Sequence, residues 1–315
     1  MTAEKIPVIL DGDPGHDDAI AWTAAAAETR LRVLAVTSVA GNQTIEKTTL
    51  NAAKILTLTG MHVPLARGAA RPLVAQPMTA PSVHGESGLD GPALPEPTVP
   101  VLDLPAVSLM AQVLADHPTP VTIVATGPLT NVATLLLIHP ELKAKIGAIY
   151  FMGGGIRFGN WTAAAEFNIL VDPEAAHIVF TSGLPLYMCG LDVTEQALLL
   201  PAEFDALAAL GSDVANIVAD WLRFFYSFHK EKGYRGAPVH DAAAVAALVS
   251  PALFSFREMA VQVECTGDHC RGATVADWYG LHGKQKNVHV AVAIDREAFV
   301  AWLFARVAGY GEAKR

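Results

Sequence analysis

Short runs of apolar and β-branched residues alternate with longer helical patterns through most of this chain. Such alternation predicts βαβ units and a largely parallel sheet. Because parallel strands need crossover connections, we expect helices on both faces of an open, Rossmann-like α/β sheet. The predicted strands are Ile6 to Leu10, Val33 to Val39, Val121 to Ala125 and Ile146 to Met152, and the predicted helices are Asp17 to Glu28, Thr44 to Leu58, Asn131 to Leu137 and Pro173 to Ser182.

Two segments interrupt this alternation. Residues 71–105 are rich in Pro and Gly and show no periodicity, and irregular loops of this length are usually functional. A helix predicted after Ser212 runs to about Lys232 and is followed by a Gly-containing stretch before His240. Neither segment has the composition of a linker, so residues 1–315 are predicted to form a single domain. We expect the loop and the late helix to cover a site at the carboxyl edge of the sheet.

The overall composition excludes several classes of partner. Hydrophobic residues make up 52% of the 315 residues, enough for a large core. The net charge of -9 and the lack of a Lys/Arg cluster argue against binding to nucleic acid polymers. No apolar run approaches the roughly 18 residues of a membrane span. Three cysteines without a signal-peptide pattern favour the cytoplasm, and the thiols of Cys265 and Cys270 are interpreted as incidental rather than zinc-binding.

The densest polar signal is Asp11-Gly-Asp13-Pro-Gly-His-Asp17-Asp18, directly after the first predicted strand. Helix capping accounts for Asp17 and Asp18, but not for Asp11 and Asp13 at the strand end. Carboxylates this close repel one another and raise one another's pKa unless a cation lies among them. Hard oxygen ligands favour Ca²⁺ or Mg²⁺ over zinc or copper. The sequence therefore predicts a cation site at the end of the first strand.

Two further polar groups are weaker when taken alone. The stretch from Asn160 to Asn168 contains Glu166, follows a Gly-rich turn after Met152, and offers amide and carboxylate groups to a polyhydroxyl ligand. Such residues also populate ordinary surface loops. The pair His240-Asp241 precedes an Ala-rich helix, where Asp is also a common cap.

Taken in order, these segments resemble the inosine-uridine preferring nucleoside hydrolase family. The family's D-x-D-P-G-x-D-D motif reads Asp11 to Asp18 here. The resemblance continues through Ala40-Gly-Asn42-Gln-Thr, Val83 to Gly91, Thr126-Gly-Pro-Leu-Thr-Asn, Met152-Gly-Gly-Gly, Asn160 to Asn168 and His240-Asp241, and so spans nearly the whole chain. The residues of these segments look closest to those of bacterial pyrimidine-specific ribonucleoside hydrolases.

The resemblance implies the nucleoside hydrolase fold and calcium-dependent hydrolysis of the N-glycosidic bond of ribonucleosides, which gives ribose and free base for nucleoside salvage. It also implies a homo-oligomer, a tetramer or a dimer, acting on a small nucleoside. By this resemblance Ca²⁺ is held by Asp13, Asp18, Asp241 and the carbonyl of Thr126, Asp17 is the general base, and Asp11 supports the site. The ribose is held by Asn42, Asn160, Glu166 and Asn168, with Met152 packed near the sugar.

The leaving base needs assistance, because departure as an anion is difficult. His84 and His240 are the candidate catalytic and base-contacting residues, and the late helix offers Phe225, Tyr226, His229 and Tyr234 without indicating which of them reaches the base.

Three alternatives remain at this stage. A broad-specificity hydrolase would accept purines as well as pyrimidines. A haloacid dehalogenase phosphohydrolase also begins with D-x-D, but Pro14 stands where that family would have Thr or Val. A ribose-binding module would share the hydroxyl-binding groups and need no general base.

Overall fold

The computed structural model describes residues 4–281 and 283–312. The strands in these ranges are β1 Ile6–Gly12, β2 Leu31–Ser38, β3 Leu65–Arg67, β4 Val101–Leu102, β5 Val121–Ala125, β6 Ile146–Met152, β7 Leu186–Cys189, β8 Leu198–Leu199, β9 Ala237–Pro238, β10 Phe254–Met259, β11 Val261–Val263, β12 Thr274–Ala276 and β13 Val288–Ile294. The α-helices are α1 His16–Ala27, α2 Ile45–Thr59, α3 Pro81–His84, α4 Ala106–Asp116, α5 Thr130–Ile138, α6 Phe167–Val171, α7 Pro173–Phe180, α8 Leu191–Thr194, α9 Pro201–Ala208, α10 Asp213–Glu231, α11 Ala242–Val249 and α12 Arg296–Glu312.

The main sheet has nine strands in the order β10-β13-β7-β6-β5-β1-β2-β3-β4. All neighbouring pairs are parallel except β10 and β13, so a single antiparallel strand closes one edge. The predicted α/β architecture with a mostly parallel sheet is confirmed. In such a sheet the carboxyl ends of the parallel strands meet at one edge, where ligands bind.

Alternate residues of β1 point into two separate cores. Val8 and Leu10 join the core that contains Trp22 of α1, together with parts of α2, α10, α11 and α12. Ile9 joins the other core, which includes parts of α4, α5 and α7. All three strand residues are fully buried, as expected for a central strand covered on both faces. The prediction of helices on both faces is therefore confirmed.

The predicted strands and helices agree with the observed ones to within two residues at each end. The 71–105 segment is less irregular than predicted, because it contains the single turn α3 and the two-residue strand β4. β4 extends the sheet beside β3, which is a pairing that no periodicity in so short a strand could indicate. Within the described residues, no helix is long and apolar enough to cross a membrane.

Candidate active site

A cavity of about 430 Å³ lies at the carboxyl edge of the sheet. Loops that follow β1, β2, β5 and β6 all reach it, as the strand-end argument predicts. The 71–105 segment covers it with α3, and α10 forms another wall, so both predicted covers are in place. The predicted residues that line the cavity are Asp17, Asn42, His84, Thr126, Met152, Asn160, Glu166, Asn168, Phe225, His229, Tyr234, His240 and Asp241.

Three carboxylates form a compact group at one side of this cavity. Asp17, Asp18 and Asp241 each offer an oxygen, and these atoms lie within 4.8 Å of one another. Asp18 is fully buried, accepting hydrogen bonds from Thr126 Oγ1 at 2.6 Å and from the backbone amide of Gly15 at 3.0 Å. Asp18 therefore both caps α1 and takes part in the acidic group.

Asp13 lies beside this group rather than within it. Its Oδ2 accepts the backbone amide of Asn42 at 2.6 Å, while its Oδ1 is buried and has no hydrogen-bond partner in the described chain. Oδ1 of Asp17 is likewise buried and unpartnered in the described residues. Buried carboxylate oxygens are normally satisfied, so these atoms lack a positively charged neighbour.

The electrostatics of the group point the same way. Burial, followed by the charge of Asp18, raises the pKa of Asp17 to about 8. Burial raises the pKa of Asp18 to about 6, although Thr126 and Gly15 hydrogen-bond to it. The pKa values of Asp13 and Asp241 also lie well above the usual range because of burial and neighbouring carboxylates. A bound divalent cation would keep these groups ionised, so the residues present fit a hard cation.

Asp11 supports this group from behind and does not line the cavity. Its Oδ1 accepts hydrogen bonds from Thr37 Oγ1 at 2.6 Å and from Asn131 Nδ2 at 2.7 Å. Burial raises the pKa of Asp11 to about 7 despite these two hydrogen bonds. Asn131 also donates to the carbonyl of Ser38, so Asp11 connects β1 to the end of β2 and the start of α5.

The side-chain amides around the cavity are held by the backbone and keep one polar atom free. Asn168 Nδ2 donates to the carbonyls of Thr126 at 3.0 Å and Met152 at 3.3 Å, and its Oδ1 has no hydrogen-bond partner in the described chain. Asn160 Oδ1 accepts the amide of Phe167 at 3.0 Å, which leaves its Nδ2 as a donor. Such fixed groups are preorganised to bind hydroxyls.

Glu166 is more constrained than the sequence suggests. It is buried, and its carboxylate accepts three backbone amides, from Gly154 at 2.8 Å, Asn168 at 2.9 Å and Ile169 at 3.1 Å. The carboxylate caps α6 and fixes the Gly-rich turn after β6. Burial nevertheless raises the pKa of Glu166 to about 7. The main role of Glu166 is therefore to hold the cavity wall in shape.

His84 enters the cavity from α3 against a stack of rings. Its Nδ1 lies 3.2 Å from both the backbone nitrogen and Nδ1 of His16, whose Nε2 donates to the carbonyl of Asp90 at 2.8 Å. Its ring stacks on Phe225 of α10 at 5.3 Å between centroids. Burial lowers the pKa of His84 well below its usual value, so His84 is a neutral imidazole.

Three of the four residues that the sequence left open reach the cavity, two from α10 and Tyr234 from the segment after it. Phe225, His229 and Tyr234 line the cavity, whereas Tyr226 does not. Tyr226 instead packs edge-on against Phe204 and donates a hydrogen bond to the carbonyl of Tyr234 at 3.3 Å. Periodicity alone cannot distinguish the cavity side of a helix from the core side, because both are apolar.

Sequence reasoning missed several lining residues. They are aromatic or polar, and they include Phe158, Trp161, Glu195, Phe228 and Lys232. One signal was available: β7 is a buried strand next to β6, so the residues after it had to reach the same edge of the sheet.

Comparison with known families identifies the same family that the motifs suggested. The model of the inosine-uridine preferring nucleoside hydrolase family matches residues 8–301. The chain belongs to this family. A pyrimidine-specific ribonucleoside hydrolase RihA from Salmonella arizonae is 52% identical over 309 residues, covering 97% of this chain and 99% of that protein. The protein of the same name from Klebsiella pneumoniae is 51% identical over 308 residues, with the same coverage.

Solved structures of nucleoside hydrolases share the fold. A purine-preferring ribonucleoside hydrolase from Gardnerella vaginalis superposes with a TM-score of 0.91 at 31% identity, covering 98% of this chain and 99% of that one. The plant nucleoside hydrolase PpNRh1 gives a TM-score of 0.89 at 32% identity, covering 96% of this chain and 99% of that one. The phosphohydrolase alternative is thereby excluded.

Proposed function

We propose that this protein hydrolyses the N-glycosidic bond of pyrimidine ribonucleosides, uridine and cytidine, releasing ribose and the free base. The observation that carries the proposal is a cavity with buried carboxylates on one side and neutral imidazoles and aromatic rings on another. The pyrimidine preference is supported by about 51% identity to proteins named pyrimidine-specific ribonucleoside hydrolases. The nearest rival is broad specificity, because a purine-preferring relative shares the fold at 31% identity.

We further propose Ca²⁺ as the cofactor, held by the carboxylates of Asp13, Asp18 and Asp241 and by the carbonyl of Thr126. Support comes from the unpartnered Oδ1 of Asp13 and from the oxygen-only character of the group. When bound, the cation would supply the positive charge that keeps the carboxylates ionised and would orient the ribose hydroxyls. Asp17 belongs to the same compact group, and we assign it to proton transfer because it lines the cavity and its Oδ1 has no hydrogen-bond partner among the described residues.

In the proposed reaction, a water oxygen bonds to C1′ of the ribose as the bond from C1′ to the base nitrogen breaks. The carboxylate of Asp17 accepts a proton from that water. The electron pair of the broken bond passes to the base nitrogen. The sugar carries positive charge at this stage, and the nearby carboxylates and the free Oδ1 of Asn168 stabilise it more than they stabilise the substrate.

The departing base carries negative charge, which N–H donors stabilise. His84 lines the cavity as a neutral imidazole. His240 also lines the cavity, and Phe225, Phe228 and Tyr234 provide aromatic surface for a flat base. These side chains support a division of the cavity into a ribose end near the carboxylates and a base end near α10.

Ribose release from uridine, cytidine, inosine and adenosine would test the proposal, with calcium and after removal of tightly bound metal by a chelator. We expect calcium-dependent release from uridine and cytidine and little release from the purines. Comparable release from all four would replace the pyrimidine preference by broad specificity. Binding of uridine without ribose release, by folded calcium-loaded protein, would favour the ribose-binding module and contradict hydrolysis.

Four expectations from the sequence stay predictions. They are the single domain over residues 1–315, the homo-oligomeric state, the cytoplasmic location and the role in nucleoside salvage. Sedimentation of the protein would separate a tetramer from a dimer.

A further inference from the structure

The segment after β7 contacts three separate parts of the cavity wall. Asp192 Oδ2 accepts the amide of Ile156 at 2.7 Å, in the loop that carries Phe158 and Trp161. Tyr234 donates its hydroxyl to Glu195 Oε1 at 2.6 Å. Between them, Thr194 Oγ1 lies 2.8 Å from His240 Nδ1.

The contact between Thr194 and His240 has a preferred direction. Thr194 is fully buried and His240 is 7% exposed. Within the described chain, the imidazole is the one hydrogen-bond partner of the Thr194 hydroxyl. If Nδ1 carried the proton and donated it, the buried hydroxyl hydrogen would lack an acceptor. A buried donor without an acceptor is costly, so the hydroxyl donates and Nδ1 accepts.

This direction fixes where the imidazole proton lies. With Nδ1 acting as acceptor, neutral His240 carries its proton on Nε2, at the opposite side of the ring. Nε2 has no hydrogen-bond partner among the described residues and is not among their buried unpartnered atoms, and His240 lines the cavity. The Nε2–H group is therefore available to a ligand.

We propose that Thr194 is a positioning residue that holds His240 in the Nε2–H tautomer, so that His240 donates a hydrogen bond to an acceptor atom of the departing base. The inference deepens the proposed function and rests on it for the identity of the ligand. Thr194 does not line the cavity, so it acts through His240.

The consequence is a specific effect on the rate. A hydrogen-bond donor that points at the base stabilises the base most once negative charge has developed there, in the transition state. A donor that points elsewhere therefore lowers kcat more than it raises KM. Removing one such donor outright costs roughly 100- to 1,000-fold. A tautomer mixture retains part of the productive form, so the expected loss is smaller.

The test compares Thr194→Val, which keeps the shape, with Thr194→Ser, which keeps the hydroxyl, in calcium-loaded protein. With uridine we expect kcat to fall by about 10- to 100-fold in the valine variant with KM changed less than about 2-fold. The serine variant should stay within about 2-fold of wild type. Thr23→Val is the matched control, because Thr23 is equally buried but donates to the carbonyl of Ala19.

Imidazole ¹⁵N NMR gives a readout that does not depend on turnover. The His240 signal is assigned by its loss in His240→Asn, and we expect a protonated Nε2 and an unprotonated Nδ1 in the wild type. In Thr194→Val the two shifts should move toward a tautomer mixture, and in Thr194→Ser and Thr23→Val they should not.

A wild-type His240 protonated on Nδ1 would overturn the proposal, as would wild-type kcat in a folded Thr194→Val. If that variant does not fold, the wild-type and serine spectra still decide. If the wild type releases no ribose from any nucleoside, the proposed function fails, and the ¹⁵N spectra still decide the tautomer separately.

Discussion

At the scale of single residues, Asp17 holds an uncommon position. It lies in the compact carboxylate group and also lines the cavity, with one buried oxygen that has no hydrogen-bond partner among the described residues. Asp18 differs, because it accepts hydrogen bonds from Thr126 and from the amide of Gly15. The chemistry of Asp17 can therefore be tested with less effect on the fold.

Replacing Asp17 by Asn should remove the proton acceptor and keep the shape. We expect kcat for uridine to fall by about 100- to 10,000-fold. The melting temperature should not fall, because the substitution removes a buried charge that Asp18 repels. Steady-state kinetics and a thermal melt of Asp17→Asn measure both effects, with the exposed Asp116→Asn as control. Near-wild-type kcat would mean that another group accepts the proton.

At the scale of elements, the close approach of β1, β5 and α1 sets the shape of the carboxylate group. A Cβ added at Gly12 would lie 2.3 Å from Thr126 Oγ1, 2.6 Å from Asp18 Oδ1 and 2.9 Å from the ring of Trp22. Thr126 and Asp18 cannot move away from the added Cβ without disturbing the hydrogen bond between them. Position 12 therefore has no room for a side chain and requires glycine.

We expect Gly12→Ala to lower the free energy of unfolding by about 1 to 3 kcal/mol through overpacking. Its calcium affinity should fall as well, because Thr126 and Asp18 are displaced together. Urea denaturation and calcium titration measure the two effects. Gly309→Ala, on α12 with open space around it, should leave calcium binding unchanged and slightly raise stability. Equal stability and affinity in both variants would contradict the spatial argument.

A second element-scale feature is the buried carboxylate of Glu28, which joins the end of α1 to α12. It accepts hydrogen bonds from Arg30 at 2.7 and 2.8 Å and from Arg306 at 2.8 Å. Burial raises the pKa of Glu28, but the hydrogen bonds from Arg30 and the charges of Arg306 and Arg30 outweigh it and bring the pKa to about 2.

Glu28→Gln should destabilise the protein at neutral pH by about 2 to 3 kcal/mol, since it leaves two guanidinium groups without their negatively charged partner. The lowered pKa means that the wild-type advantage is complete above the ordinary value of 4.5 and is lost as the pH falls to about 2. Urea midpoints at pH 7, 5 and 3 should therefore converge at the acid end. Exposed Glu297→Gln on α12 is the control, and a constant difference from pH 7 to 3 would refute the assignment.

The elements were largely predictable because buried strands and amphipathic helices leave periodic patterns. The acidic motif after β1 and the residues around Asn168 were predictable because chemistry there demands unusual residue types. Thr194 and Glu195 were not, because their importance lies in contacts with His240 and Tyr234 that only the tertiary structure brings about. The hydrogen bonds from backbone amides to Glu166 could not be predicted for the same reason.

At the scale of the whole molecule, a cation that binds the folded state alone must stabilise it by mass action. At calcium concentrations near 100 times the Kd, the gain is about 2.7 kcal/mol, which is about 5 °C in melting temperature for a chain of this size. Thermal melts with calcium and with a chelator measure this shift. Asp241→Asn should lose most of it, and equal melting temperatures for wild type in both conditions would exclude a structural calcium site.

The carboxylate group joins side chains from opposite ends of the sequence, Asp17 and Asp18 on α1 and Asp241 beside α11. Such distant segments meet late in folding, because long loops must close before their contacts form. During synthesis Asp17 and Asp18 are made long before Asp241, so the group cannot form until most of the chain has emerged. Interactions that are absent from the folding transition state change the unfolding rate rather than the folding rate. Calcium should therefore slow unfolding while leaving the refolding rate almost unchanged.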